Sequence, residues 1–244
     1  MFERPTQVFK SRWLRGHLFG LALGTQLVAL SGCEQRSVQE APGIAKSVEP
    51  SRKAYENPAE LALGTLPDGV GLKPGSVIPD LTVQDIDQKA VNLRQLARSG
   101  PLLLVFYRGG WCPYCNFQIH ELVEAYPSFK AKGIRPVAIS VDRPEEGAKT
   151  RATYAIPFPV LSDPELSVHK AFNVVNKVSP EYLAKLKSMG KDLESYSGRP
   201  HNSIAIPAVF LIDRSATVRW AHAHEDYKLR PSAAQLLSHM PPLD

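Results

Sequence analysis

The sequence predicts an α/β fold in which a mixed central sheet is flanked by helices, and two features of the chain indicate this class. Apolar runs of strand length alternate with helix-like segments between residues 101 and 172, as in strand–helix–strand units. The later stretch "AVFLIDRSATVRW" (208–220) predicts an antiparallel pair that turns at Arg214 and Ser215. A sheet that contains both arrangements is mixed.

Each element has its own local signal. "LTVQDIDQKAVNL" (81–93) alternates apolar and polar residues around a turn, which predicts a hairpin. "PLLLVFY" (101–107) and "IRPVAISVD" (134–142) are continuous apolar runs, typical of strands buried on both faces. "FPVLSD" predicts a further short strand. Helices are predicted at 113–132, 145–155, 164–172, 180–189 and 231–240.

Composition and charge are those of an ordinary globular protein, with 43% hydrophobic and 22% charged residues. The formal net charge is +5, but the first 33 residues hold four basic residues and one acid, which leaves +2 for the rest. No basic stripe with interleaved aromatic residues stands out in that remainder. We therefore expect no nucleic-acid partner.

The N-terminus predicts export. A basic stretch ends at Arg15, and the apolar run that follows is shorter than the roughly 20 residues of a membrane span. It is typical of a signal peptide. The residues Leu-Ser-Gly-Cys that end at Cys33 resemble the bacterial lipobox, which implies cleavage before Cys33 and lipid modification of its thiol. An ordinary cleaved signal peptide is the alternative.

This resemblance assigns residues 1–32 to a lipoprotein signal peptide and implies an exported, lipid-anchored protein. Glu34 follows the cysteine where inner-membrane retention would use Asp, which favours the periplasmic side of the outer membrane in a Gram-negative cell. Residues 33–71 are polar and rich in Pro, Ser, Glu and Gly, which predicts a flexible tether. Residues 72–244 form the compact domain, which is large enough to fold without a structural disulfide.

The mature chain keeps two cysteines, Cys112 and Cys115, at a junction between strand and helix. Gly109 and Gly110 permit a tight exit from the strand, and Pro113 suits a first helical turn. Cys112 is then expected just ahead of the helix and Cys115 inside its first turn. Helix N-terminal N–H groups favour a thiolate there. Such a pair is typical of redox chemistry, whereas a four-ligand zinc site needs a second Cys or His pair.

The surrounding motifs resemble known redox families. "WCPYC" is similar to the active site of the thioredoxin superfamily, in its glutaredoxin version, and "FYRGGWCPYC" resembles the peroxiredoxin pattern Phe-Tyr-Pro-x-x-x-Thr-x-x-Cys. "GSVIPDLTVQD", "PVAISVD", "FPVLSDP" and "PAVFLID" resemble, in the same order, segments of the alkyl hydroperoxide reductase/thiol-specific antioxidant (AhpC/TSA) group. The resemblance covers about residue 72 to the C-terminus. It implies a thioredoxin-like fold with a mixed central sheet.

In the peroxiredoxin register, Cys115 falls on the peroxide-reactive cysteine, Cys112 on the threonine and Arg108 on the proline. The resemblance implies that Cys115 reduces hydroperoxides and that Cys112 resolves the product as a Cys112–Cys115 redox disulfide. An external dithiol, such as a thioredoxin-like donor, would restore both thiols, and no cofactor is implied. The alternative is a thioredoxin-like disulfide reductase in which Cys112 attacks and Cys115 resolves.

Supporting roles follow from the same resemblance. Trp111 is expected to shield the thiols, and Arg108 to stabilise a thiolate or a peroxide oxygen. The distant arginine of peroxiredoxins, expected just before "FLID", is absent there. Instead Pro207 resembles the cis-proline that faces the cysteine pair in thioredoxins. "DYKLR" (226–230) is expected to form a surface salt bridge.

Two further alternatives stay open. His222 and His224 are expected on one face of a strand end and could bind a metal together with the thiols, as in a metal-handling or assembly protein. The polar insertion at 173–202 can either cover the active site or lie at the periphery.

Overall fold

The computed structural model describes residues 61–243, so the predicted signal peptide, Cys33 and most of the predicted tether lie outside the described residues. The last part of that tether, residues 61–71, packs against the domain. Leu63, Leu66 and Val70 contact its apolar clusters. These apolar side chains join the core because burial removes them from water. No helix within 61–243 is long and apolar enough to cross a membrane.

The strands of the described chain form two sheets. In sequence order they are β1 (Thr82–Asp85), β2 (Ala90–Asn92), β3 (Leu102–Phe106), β4 (Arg135–Ser140), β5 (Val160–Ser162), β6 (Val175–Lys177), β7 (Ser203–Ala205), β8 (Ala208–Ile212) and β9 (Val218–Ala223). The large sheet has the order β2-β1-β5-β4-β3-β8-β9. β3, β4 and β5 run parallel, whereas β8 is antiparallel to both β3 and β9. The predicted mixed sheet flanked by helices is confirmed.

The helices lie mostly where the sequence predicts them. They are α1 (Leu93–Arg98), α2 (Pro113–Glu124), α3 (Tyr126–Ala131), α4 (Pro144–Thr153), α5 (Ser167–Ala171), α6 (Pro180–Ser188), α7 (Leu193–Ser197) and α8 (Ala233–His239). The single helix expected after the cysteine pair is divided into α2 and α3. Pro127 lies in the first turn of α3, and proline lacks the N–H that a continuous helix would require.

The central strand β3 separates two apolar cores. Leu104 and Phe106 belong to the core that includes residues of α1 and α5, whereas Leu103 and Val105 belong to the core that includes residues of α2, α3 and α8. The alternation follows from the two-residue period of a strand. Because β3 lies between β4 and β8, the loop at its end leaves the sheet near its middle. This loop carries the cysteine pair.

The insertion at 173–202 is a folded unit. β6 pairs antiparallel with β7, which follows the insertion, so the two ends of the segment are tied together. α6 and α7 lie between these strands. An apolar cluster joins them to the domain; its buried members are Val141, Leu166, Val178, Leu186, Leu193 and Ile204. The sequence predicts α6 but not the short α7 or the strand pair, because elements of three to five residues carry little periodic signal.

Candidate active site

The predicted placement of the two cysteines is confirmed. Cys112 is the N-cap of α2, Pro113 occupies the first turn, and Cys115 follows inside that turn. Gly109, in the loop between β3 and α2, has φ +140°, and a side chain there would collide with Trp111 and Asp142. Glycine is therefore required at this exit from the strand.

The loop that carries Cys112 is fixed from two sides through Gly110. The Gly110 N–H donates to Asp142 Oδ2 at 2.9 Å, and the Gly110 carbonyl accepts from Asn116 Nδ2 at 2.8 Å. Asp142 follows β4 and is buried, and burial raises the pKa of its carboxyl group to about 7. The sequence alone does not mark Asp142 as a site residue, because its link to the loop spans 32 positions.

Two hydrogen-bond donors converge on the sulfur of Cys115. The Arg108 backbone N–H lies 3.3 Å from Sγ, and Nη2 of Arg230 lies 3.4 Å from the same atom. Cys112 and Cys115 are both free thiols, and only 1% and 0% of their surfaces are exposed. Neither sulfur lies open to solvent.

The two sulfurs share one proton. Cys115 donates its S–H to Cys112, which lowers the pKa of Cys112 from 9.0 to about 5; burial opposes this shift, and the charges of Arg230 and Arg108 add to it. The pKa of Cys115 is raised well above 9.0, chiefly by burial and then by that hydrogen bond, although Arg230 opposes the rise. The pair therefore loses its first proton readily and its second with difficulty. At neutral pH it carries a single negative charge.

Arg230 was missed as a site residue, and two expectations about arginine need correction. "DYKLR" was expected at the surface, but only 1% of Arg230 is exposed. Its Nη1 donates to Gln118 Oε1 at 3.1 Å and its Nε to the Tyr227 carbonyl at 2.9 Å. The site therefore has an arginine, supplied by the segment between β9 and α8 and not by the position before "FLID". An arginine in a polar loop carries no local signal of burial.

Arg108 is buried as well, with 3% of its surface exposed. Its guanidinium carbon lies 4.1 Å from the ring centre of Tyr227, 5.1 Å from that of Trp111 and 5.6 Å from that of Tyr182. Nη2 also donates to the Tyr182 hydroxyl at 3.0 Å. Trp111 packs against the cluster that contains both cysteines, which is where a residue that shields the thiols must lie.

The prediction of a cis-proline is wrong. Residues 61–243 contain no cis peptide bond, so the bond between Ile206 and Pro207 is trans. The Ile206 N–H donates to the Val174 carbonyl, and β8 begins at Ala208, directly after Pro207. Ile206 and Pro207 are therefore the whole connection between β7 and β8. Pro207 still lies close to the site, because it lines a small cavity together with Gln118 and Arg230.

The two histidines of the metal hypothesis lie in different surroundings. His222 is buried in β9, stacks on Trp220 with ring centres 6.0 Å apart, and has a pKa lowered to about 4, chiefly by burial. His224 Nδ1 accepts from the Asp226 N–H at 3.0 Å. In the part of the chain that the structure describes, no group of three or more His, Cys, Asp or Glu residues is placed to hold a metal. The described residues therefore lend the metal hypothesis no support.

Comparison with known proteins identifies the family. Residues 74–221 match the AhpC/TSA family. Alkyl hydroperoxide reductase E of Mycobacterium bovis is 26% identical over 161 residues, which cover 65% of this chain and 90% of that protein. Thiol-disulfide oxidoreductase ResA of Bacillus cereus is 29% identical over 112 residues, which cover 46% of this chain and 64% of that protein.

The fold is also similar to that of solved structures. The crystal structure of peroxidoxin BcpB from Mycobacterium tuberculosis aligns with a TM-score of 0.52 at 21% sequence identity, covering 65% of this chain and 90% of that chain. The thioredoxin-like fold and the peroxiredoxin-like class of thiol-dependent redox enzyme predicted from the sequence are thus confirmed. The family match covers more than half of the sequence, and the chain belongs to the AhpC/TSA family.

Proposed function

We propose that this protein is a thiol peroxidase that reduces hydroperoxides through Cys115, with Cys112 as the resolving partner. The observation that carries the proposal is the convergence of the Arg108 N–H and the Arg230 guanidinium on the Cys115 sulfur. Donors at this position stabilise a thiolate during attack, and they can also polarise the oxygen that leaves. The names of relatives such as alkyl hydroperoxide reductase E support the same chemistry.

In the first step the proton moves along the hydrogen bond from Cys115 to Cys112, and the Cys115 thiolate formed in this way attacks the nearer peroxide oxygen. The O–O bond breaks, Cys115 becomes a sulfenic acid, and the remaining oxygen leaves as an alkoxide or hydroxide that takes up a proton. The Cys112 thiol then attacks the sulfenic sulfur, forms the disulfide and releases water. An external dithiol of the thioredoxin-like class reduces the disulfide and restores both thiols.

Single-cysteine variants test this assignment. We expect Cys115→Ser to abolish both peroxide consumption and the sulfenic acid that a dimedone-type reagent traps. Cys112→Ser should still form the sulfenic acid once per chain but should lose turnover with a dithiol, because no disulfide can form. Sulfenic acid that persists in Cys115→Ser and disappears in Cys112→Ser would reverse the roles.

A protein disulfide reductase is the second candidate, with Cys112 as the nucleophile. Its support is the lowered pKa of Cys112, together with the similarity to thiol-disulfide oxidoreductase ResA. In this case Cys112 would attack a substrate disulfide and Cys115 would resolve the mixed disulfide. Insulin reduction that is lost in Cys112→Ser, with no peroxide turnover in the unmodified protein, would favour this function over the first.

The proposal extends to the cellular location. The lipobox-like residues that end at Cys33 support export and lipid anchoring, and Glu34 supports an outer-membrane destination in a Gram-negative cell. Several acyl chains together give stable anchoring. We expect the expressed full chain to incorporate labelled fatty acid and to fractionate with membranes. Cys33→Ala should abolish the labelling; labelling that survives this substitution would contradict the anchor.

A further inference from the structure

The insertion between β6 and β7 contacts the loop that carries the cysteine pair, through Arg108 and Trp111. Cys112 and Cys115 are 1% and 0% exposed, although they lie at the end of a central strand where a loop would otherwise open to solvent. We name α6 and α7 of this insertion the cover. Their contacts with the active-site loop favour the first of the two alternatives for residues 173–202, a position over the active site.

Two tyrosines join the insertion to the active-site loop. Tyr182 of α6 accepts a hydrogen bond of 3.0 Å from Nη2 of Arg108, and its ring centre lies 5.6 Å from that guanidinium. Tyr196 of α7 stacks on Trp111, with ring centres 6.3 Å apart and planes at 28°. Arg108 and Trp111 both lie in the segment between β3 and Cys112, so the two contacts tie the insertion to the loop that carries the pair.

Arg108 also contacts the C-terminal segment. Its guanidinium lies 4.1 Å from the ring centre of Tyr227, in the segment that leads to Arg230. Tyr182 and Tyr227 thus contact the same buried charge, and both phenol groups interact with it and with each other. The buried guanidinium of Arg108 therefore contacts both the insertion, at Tyr182, and the C-terminal segment, at Tyr227.

The two candidate functions have substrates of very different size, a small hydroperoxide and a protein disulfide. The cover should discriminate between them by size. Attack on a peroxide requires only that one small oxygen reach the sulfur. Disulfide exchange requires a second sulfur, flanked by the backbone of another protein, to approach an attacking thiolate. At 1% exposure the Cys112 thiol needs a local opening for either substrate, and the opening that a protein disulfide needs is much the larger.

On the basis of the proposed function, we infer that Tyr182 is a specificity-determining residue. Its contact with Arg108 keeps α6 over Cys112 and Cys115, so small hydroperoxides reach the sulfurs and protein disulfides do not. Tyr182 holds α6 in two ways: its hydroxyl accepts from Arg108, and its ring packs against the apolar cluster around Leu186.

The test compares small and large reagents on the same reduced full chain. Rate constants are measured for hydrogen peroxide and for insulin disulfides with the unmodified protein, Tyr182→Ala and Tyr182→Phe. We expect Tyr182→Ala to raise the insulin rate relative to the peroxide rate by about tenfold or more, and Tyr182→Phe by roughly threefold. Tyr126→Ala is the matched control, because Tyr126 lies on α3, packs on Phe158 and has no contact with Arg108 among the described aromatic and cation–π pairs, so it should leave the ratio unchanged.

Three results would overturn the inference: an unchanged ratio in both Tyr182 variants, an equal rise in Tyr126→Ala, or insulin reduction by the unmodified protein as fast as peroxide reduction. A parallel experiment keeps it separate from the proposed function. Alkylation of the reduced cysteines is followed with iodoacetamide and with a maleimide carried on a long polyethylene glycol. Tyr182→Phe, which retains the ring and is expected to fold, should accelerate the large reagent more than the small one, even if the protein consumes no peroxide.

Discussion

Arg230 donates from Nη2 to the sulfur of Cys115 at 3.4 Å, across 115 positions of sequence. Gln118, one turn further along α2 than Cys115, accepts from the other terminal nitrogen of the same guanidinium at 3.1 Å. The helix that presents the cysteine therefore also orients the arginine. The planar fork of arginine allows the two contacts at once, which the single ammonium group of lysine does not reproduce.

Removal of the arginine should weaken the nucleophile. In Arg230→Met, we expect the first thiol pKa of the pair to rise by about one unit and the rate constant for hydrogen peroxide to fall roughly 10- to 100-fold, because a buried positive charge is lost. Ultraviolet thiolate absorbance and stopped-flow peroxide kinetics measure the two effects. Arg219→Met is the control, since Arg219 pairs with Asp213 at the surface and should change neither. An unaltered pKa in Arg230→Met would contradict this role.

Gln118 should act through Arg230. Gln118→Leu removes the hydrogen bond that Nη1 of the charged Arg230 donates, which should lower the free energy of unfolding by about 1–3 kcal/mol. The thiol pKa should rise as well, by less than in Arg230→Met. In the double variant Arg230→Met/Gln118→Leu, the two effects on the pKa should not add. Additive effects would mean that Gln118 does not work through the arginine.

The peroxide reaction should be lost in acid. The pKa of Cys112 is lowered from 9.0 to about 5, so the pair carries its negative charge above pH 5 and loses it as the pH falls through that value. We expect the rate constant to level off before neutral pH. In Cys115→Ala the remaining thiol should titrate closer to 9.0, because its S–H donor is gone. A rate that still climbs between pH 7 and 9 in the unmodified protein would exclude this shared proton.

Asp142 should make the fold less stable as the pH rises from 3.8 to about 7. Its folded pKa of about 7 lies above the ordinary 3.8, so its contribution is fully present below 3.8 and is lost as the pH rises through 7. Between pH 3.8 and 7, ionisation of Asp142 should lower the free energy of unfolding by at most about 1.4 kcal/mol per pH unit. Asp142→Asn keeps an acceptor for the Gly110 N–H and should flatten the profile. Denaturant titrations at several pH values measure it, and parallel profiles would refute the assignment.

Gly110 should tolerate no side chain. A Cβ atom built there overlaps Oγ1 of Thr150 on α4, so Gly110→Ala must displace either the loop or the helix. We expect a loss of about 1–3 kcal/mol in the free energy of unfolding, together with slower peroxide reduction. The double variant Gly110→Ala/Thr150→Ala should recover part of both losses, because the overlapping oxygen is removed. No recovery would show that the loop is not limited by this contact.

The family, the order of strands and helices around the cysteines, and the place of Cys112 and Cys115 at the start of α2 could all be read from the sequence. Each depends on residues close together in the chain: alternating or continuous apolar runs, glycines before a helix, and proline in its first turn. Local steric preferences and local burial patterns act within such windows, so a linear reading captures them.

The residues that complete the site could not be found in this way. Arg230 and Asp142 reach the loop across 115 and 32 positions, and Tyr182 reaches Arg108 across 74. Arg230 and Tyr182 lie in polar segments without a local signal of burial, and the apolar run that ends at Asp142 does not show which loop its carboxylate meets. Pro207 is the opposite case, because its local resemblance predicts a cis peptide bond and the bond in the structure is trans. Long-range packing decides which polar groups lose water and which partners they meet, and those partners set the charge on the sulfurs.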